Sequence, residues 1–201
     1  MCRMSKTSKM PCHSYSLPAT ACRTGAKLAK VKGSVCSGCY ALKGFYRMAT
    51  VDAPRQDNLA SLPQSDDSGA WLVWADDMIE NITKKEKSGF FRWHDSGDLQ
   101  SEQHFATICY IAEKLPYIRF WLPTKETKIV AGHAVPSNLV VRVSAPMVDQ
   151  SPLKAHKYTS TVHKDKPAHG FTCKAYTNAG KCGDCRACWD GTVANVSYPL
   201  H

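Results

Sequence analysis

Ten cysteines constrain this chain of 201 residues more than any other feature, because eight of them fall into two groups of four, far apart in sequence. The first group is Cys12, Cys22, Cys36 and Cys39; the second is Cys173, Cys182, Cys185 and Cys188. The opening residues Met1-Cys-Arg-Met-Ser-Lys-Thr-Ser-Lys-Met10 are basic but lack the apolar stretch of an export signal. No apolar run approaches the length of a membrane span. A cytoplasmic protein without a membrane partner is therefore expected. In that reducing setting, clustered thiols point to metal or catalysis rather than disulfides.

Cys182-x2-Cys185-x2-Cys188 is the most specific of these patterns. Three thiolates at that spacing can wrap one corner of an iron–sulfur cube, whereas structural zinc more often uses two separated C-x2-C knuckles. Cys173 supplies a fourth ligand, Gly180 and Gly183 allow tight turns, and Trp189 is placed to exclude water. In the first group, Cys36-Ser-Gly-Cys39 is a single C-x2-C pair, with Cys12 and Cys22 upstream to complete a four-ligand site. The alternative there is a zinc-stapled loop. Cys109 falls on an apolar helix stripe and reads as core, and Cys2 as an uninvolved thiol in an exposed terminus.

The net charge of +9 suggests an acidic partner, nucleic acid included. Two four-iron clusters would offset roughly four of those charges. Lys27, Lys30, Lys32, Lys43 and Arg47 flank the first cysteine group, where they would counter a negative cluster or hold an anionic ligand.

With 43% apolar residues the chain can bury one core, so residues 1–201 are expected to form a single domain. Its parts are a cluster segment over 1–50, a β/α core over 66–147 and a second cluster segment over 148–201. Residues 51–67 read as a polar connector. A short helix is predicted around Tyr40 to Met48. The stripe Trp71, Trp74, Ala75, Met78, Ile79, Ile82 predicts a helix over 69–87, with Asp66 and Asp67 at its start and lysines at its end. Strands follow at 90–93, 118–122 and 139–143, separated by a helix capped by Ser101 and a short one through Ile129. Such alternation implies an α/β fold with an incomplete parallel β/α barrel-like sheet.

Several of these motifs resemble the bacteriophage gene product eighty-eight family. They are Leu17-Pro-Ala-Thr-Ala-Cys22-Arg-Thr-Gly, Gly33-Ser-Val-Cys36-Ser-Gly-Cys39-Tyr-Ala, Arg92-Trp-His94-Asp-Ser-Gly-Asp98, Trp121-Leu-Pro-Thr-Lys-Glu126 and Lys181-Cys-Gly-Asp-Cys-Arg-Ala-Cys188-Trp-Asp. That resemblance covers most of the chain and implies a phage protein acting in an infected host cell. More distantly the chain is similar to radical S-adenosylmethionine (SAM) proteins, which combine an N-terminal cysteine loop with an incomplete parallel barrel. Their usual C-x3-C-x2-C spacing is not met, since Cys22 lies fourteen positions before Cys36. If Cys12 also ligates, the first cluster is full; if it is free, three cysteines leave an iron open to SAM.

Ligands of parallel α/β sheets gather beyond the strands' carboxyl ends, where polar residues cluster here. His94, Asp95, Ser96 and Asp98 follow the first predicted strand, Thr124, Lys125 and Glu126 the second, and Ser144 the third. The radical-SAM resemblance implies that Ser96, Gly97 and Asp98 meet the methionine or ribose part of SAM, and that Arg142 or Lys125 takes its carboxylate, with Ser144 nearby. His94, with Asp98, is a candidate acid–base or ligand; the alternative is that both cap the next helix. His104, His156, His163 and His169 are expected to be solvated, and Tyr15, Phe45 and Tyr46 to pack around the first cluster. Three functions remain open at this point. They are a radical-SAM-like enzyme with two 4Fe–4S clusters, an iron–sulfur electron-transfer or redox-sensing protein, and a zinc-stabilised nucleic-acid-binding module.

Overall fold

The computed structural model describes residues 2–65 and 67–200. Eight strands form one sheet. They are β1 (Met4–Lys6), β2 (His13–Tyr15), β3 (Phe90–Trp93), β4 (Arg119–Thr124), β5 (Leu139–Ser144), β6 (Thr159–His163), β7 (Phe171–Thr172) and β8 (Asn195–Pro199). Their spatial order is β1-β2-β3-β4-β5-β6-β8-β7. Only β1 and β2 pair antiparallel; every other neighbouring pair is parallel. The sheet stays open, so the expected incomplete parallel β/α barrel is the fold.

Two helices cover one face of the sheet. Helix α3 (Ser68–Lys85) begins where the Asp67 carboxylate accepts from the Gly69 N–H at 2.9 Å; Asp66 lies outside the described residues. It buries Trp71, Trp74, Ala75, Met78 and Ile82. Helix α4 (Glu102–Lys114) is capped by Ser101, whose Oγ accepts from the His104 N–H at 3.0 Å, and buries Phe105, Ile108, Ile111 and Ala112. These residues meet Phe91, Trp93, Phe120, Leu122 and Leu139 in the main core. Each large side chain withdrawn from water contributes roughly 1.5–3 kcal/mol. Cys109 joins this core as its stripe predicts. Strand alternation sends Phe90, Arg92, Trp121 and Arg142 to the opposite face, where the C-terminal cysteine segment packs.

Several expectations fail for identifiable reasons. The polar stretch after residue 50 is helix α2 (Ala49–Ser61), not a connector, even with Pro54 inside it. Its buried residues are Arg55 and Asn58, and the Asn58 amide bonds Arg3 N, Arg3 O and Ser16 O at 2.8–2.9 Å. A helix docked through polar groups leaves no apolar stripe to read. The helix expected around Tyr40 to Met48 is two separate 3-10 turns, Tyr40–Leu42 and Gly44–Arg47. Cys2 is buried rather than exposed, its N–H donating to Asp77 Oδ2 at 2.6 Å. Tyr15 belongs to the main core, whereas Phe45 is 80% exposed. Among the described residues no helix is long and apolar enough to cross a membrane.

Candidate metal centres

Cys22, Cys36 and Cys39 come together beyond the carboxyl end of β2. Cys22 ends a 3-10 turn, Ala19–Ala21, and is followed by helix α1 (Thr24–Leu28). Cys36 lies in the turn Val35–Gly38, which Ser34 caps by accepting from the Ser37 N–H at 3.0 Å. Gly25 shows how closely the first two thiols converge. A Cβ there would stand 3.6 Å from Cys22 Sγ and 3.7 Å from Cys36 Sγ, and 3.1 Å from Cys22 Cβ. Burial, then Asp98, Cys39, Cys36 and Glu126, push the Cys22 thiol up to about 12. Burial also raises Cys36, where Lys125 works in the opposite direction. Thiols that oppose one another's ionisation stay protonated at neutral pH unless a positive charge is brought among them.

Cys12 is not part of this set. It precedes β2 whereas Cys22 follows it, so the strand separates the two along the sheet. The Cys12 thiol is buried with Trp121 and Trp189. Burial first, and then Glu86, push it up to about 12; Cys182 adds to the rise, while Arg92 and Arg186 oppose it. The expected N-terminal quartet is thus a trio, and Cys12 lies beside the other cysteine group.

That second group converges as its spacing predicts. Cys173, Cys182, Cys185 and Cys188 all line one pocket, walled on its apolar side by Phe171, Trp189 and Val196. Gly180 and Gly183 take the positive φ values, +74° and +54°, that the tight turns require. The Cys182 N–H donates to Lys9 O and the Cys173 N–H to Ser197 O, both at 2.9 Å. Trp189 is buried and donates from Nε1 to Phe91 O at 2.8 Å. Among the described residues, no three His, Cys, Asp or Glu side chains are arranged to hold a single metal ion. In a polynuclear cluster, by contrast, each thiolate binds a different iron.

The polar residues at the strand ends divide sharply. Arg142 is buried and does not face a ligand site. Its guanidinium donates to the carbonyls of Ala187, Cys188, Asp190 and Val193 at 2.8–3.0 Å, bracing the C-terminal cysteine loop against β5. His94 is not available for acid–base work. It sits in the left-handed region at φ +56°, its ring against Tyr15, Trp93 and His104, with both ring nitrogens buried and unpartnered. Burial, then His104 and Arg92, hold it well below the usual histidine range. His104, expected in solvent, stacks on Trp71 and is pulled down to about 3 by burial.

Ser96 and Gly97 tie loops together. Ser96 Oγ donates to Leu17 O and accepts from Arg55 Nε, both at 2.7 Å. A Cβ on Gly97 would lie 2.5 Å from Leu17 Cβ and 2.7 Å from Leu17 O, so only glycine lets the two loops approach. Ser144 Oγ pairs with Ser160 Oγ at 2.9 Å.

Asp98 and Lys125 are the two predicted ligand-facing residues that reach the trio. Burial raises Asp98 to about 6, although its carboxylate accepts from Thr124 Oγ1 at 2.6 Å and from the Lys125 and Leu99 N–H groups at 2.8 Å. Lys125 Nζ donates to Ala145 O at 3.0 Å. Burial pulls its pKa down, while Cys36, Asp98, Cys39 and Cys22 pull it back up.

Sequence reasoning placed Asp95 and Glu126 at the strand ends but did not foresee that they hold the trio's loops in place. Glu126 accepts from Thr24 N–H and Thr24 Oγ1, each at 2.7 Å, pinning the loop after Cys22 to the end of β4. Arg55 pairs with Asp95 at 3.2 Å, and Tyr40 donates to Asp95 O at 2.7 Å. Arg92 was missed. Its guanidinium stacks 4.5 Å over the Trp121 ring, and its Nε–H has no partner. Burial works against its charge, but Tyr40, Asp95, Tyr198 and Cys188 hold its pKa above the ordinary arginine value. It therefore stands between the Tyr40 turn, which follows Cys39, and Cys188 of the second group. No periodicity or spacing signals a residue that gains its role only when two distant loops meet.

The fold and these sites define an α/β protein with an open, mostly parallel sheet and a cysteine group at each of two places on it. Residues 2–191 match the family Gene product 88. The chain belongs to that phage protein family. No curated protein and no solved structure matches it.

Proposed function

We propose that this is an iron–sulfur protein carrying two 4Fe–4S clusters of different character. Cys173, Cys182, Cys185 and Cys188 would ligate one cluster completely. Cys22, Cys36 and Cys39 would ligate the other through three irons only. One observation carries the reading: three cysteines, not four, meet at the carboxyl edge of the sheet, while Cys12 lies beside Cys182. A cluster with an iron free of protein ligands would supply a coordination site and an electron, the chemistry with which radical-SAM proteins cleave SAM.

The chain's own residues suit such a ligand. The Lys125 ammonium is held beside the three thiols, where it can bind a carboxylate or another anionic group. Asp98, raised by burial to about 6, can hold or release a proton near neutral pH. Arg142 contributes by bracing the C-terminal loop through its hydrogen bonds, and His94 by packing. Thiolates are suited to both iron–sulfur and zinc, so metal analysis is the first discriminator.

Anaerobically purified chain is expected to contain about eight iron and eight sulfide. Its EPR spectrum after reduction is expected to change on adding SAM. Cys36→Ser should remove the SAM-sensitive signal, whereas Cys12→Ser should retain it. Stoichiometric zinc without sulfide would overturn the cluster assignment. Loss of the SAM-sensitive signal in Cys12→Ser would overturn the open iron.

A further inference from the structure

The overall charge hides an uneven distribution. Residues 1–51 contain nine Lys or Arg and no Asp or Glu; residues 52–201 contain seventeen of each. The whole excess of +9 therefore belongs to the segment bearing the three cysteines. Six of its cations, Arg23, Lys27, Lys30, Lys32, Lys43 and Arg47, are exposed. Among the described residues, none of the six forms a salt bridge. Ordinary surfaces intersperse both signs of charge, so exposed cations left without ion pairs have a self-repulsion that a polyanion would relieve.

The same stretch exposes apolar groups that its fold could have buried. Phe45 is 80% exposed, Tyr40 57% and Met48 50%. Tyr40 is held by its hydroxyl on Asp95 O, which leaves much of the ring outside, and its edge meets Tyr46 at 5.2 Å between centroids. Lys43 and Arg47 stand on either side of Phe45 in sequence. The turns Tyr40–Leu42 and Gly44–Arg47 pack on one another, as α1 packs on the Cys36 turn, so cations, rings and cysteines share one lobe.

A polyanion with flat apolar faces matches this combination. Single-stranded nucleic acid offers both, since its bases are free to stack on aromatic rings while its phosphates meet lysine and arginine. A duplex conceals its base faces. An anionic membrane would favour a helix with a continuous apolar stripe, and these are isolated 3-10 turns.

We infer that the Arg23–Met48 segment is a binding surface for single-stranded nucleic acid, running past the three-cysteine site. That the bound strand is also the substrate of that site rests on the cluster assignment above; the binding itself does not.

The test uses the full chain, purified anaerobically, and a fluorescent oligothymidylate read by anisotropy across a salt series. Affinity is expected to fall as salt rises. Phe45→Ala is expected to weaken binding roughly tenfold. Lys43→Gln with Arg47→Gln is expected to flatten the log–log salt slope by about 1.4. Both changes lie on exposed side chains, and iron and sulfide measured on the same samples report separately on the cluster reading. Salt-independent binding, or none, would overturn the inference. So would duplex bound as tightly with Phe45→Ala unaffected, or phosphatidylserine vesicles bound in place of the oligonucleotide.

Discussion

The two cysteine groups are held by opposite means. The C-terminal quartet is locked from within: Arg142 reaches through the sheet face to four loop carbonyls, and Trp189 is buried beneath. The N-terminal trio is moored from outside, by Glu126 on Thr24, by Asp95 on Tyr40, and by Leu17 resting on Gly97. Its turns stay exposed, and Lys125 and Asp98 face it. A site braced by buried donors is suited to permanence. One fastened at its rim keeps an approach for a ligand. The contrast explains why the two groups, alike as lists of cysteines, are proposed to differ in reactivity.

Breaking the inner brace gives the largest expected effect. Arg142→Met removes the guanidinium from four carbonyls; Ala187 O and Asp190 O keep the Asp190 and Val193 N–H groups, whereas Cys188 O and Val193 O lose their donor, at about 1–3 kcal/mol each if left buried and unpaired. A loss of at least about 2 kcal/mol in urea unfolding is expected, with iron released from the quartet first. Stability within 1 kcal/mol of the parent would show that the brace is dispensable, and with it the contrast between the sites.

Legibility in the sequence followed the chemistry of burial. Helices α3 and α4 and strands β3 to β5 were readable because each buries an apolar stripe against the other layer. Strands β6 and β8 were not. Their buried faces are Thr159, Thr161, Asn195 and Ser197, joined side chain to side chain at 2.8–3.0 Å. A polar ladder satisfied internally looks like a loop to any pattern of hydrophobicity. Helix α2 was hidden in the same way by Arg55 and Asn58. Of the candidate sites, C-x2-C-x2-C announced the quartet because its ligands are local. The trio's membership was not legible, since nothing in the spacing shows that β2 carries Cys12 away from Cys22. Arg142 misled for a related reason: an arginine near a strand's end has the same signature whether it meets a ligand or a neighbouring loop.

Acid tests the rim-moored side next, because His94 and His104 lie in the core beneath the loop that supports the trio. The unfolded chain binds a proton at His104 as pH falls through 6.5, whereas the folded chain refuses it until about 3. His94 acts in the same direction. The histidines' contribution is therefore complete above pH 6.5 and lost on acidification, by about 1.4 kcal/mol per pH unit for each, while Asp98, raised to about 6, works the other way. For His104 alone the loss at pH 5 is about 2 kcal/mol. His104→Leu should make the decline between pH 6 and 4 shallower by one histidine's share in urea melts at several pH values. Parallel curves for variant and parent would remove His104 as the cause.

The smallest effect discriminates best between the two sites. Glu126 is buried and uses both oxygens on Thr24, one on its N–H and one on its hydroxyl. Glu126→Gln keeps the shape and both partners, its oxygen accepting from the Thr24 N–H and its amide donating to Thr24 Oγ1, so the two charge-assisted bonds become neutral ones at a cost of about 1 kcal/mol of stability. Thr24 follows Cys22 by two residues and opens helix α1, so the damage should stay at the trio. Iron release to a chelator is then expected in two phases, with the trio's phase faster than in the parent and the quartet's unchanged. Equal acceleration of both phases would mean that the two sites share one mechanical unit, and that the loop after Cys22 is not an independent mooring.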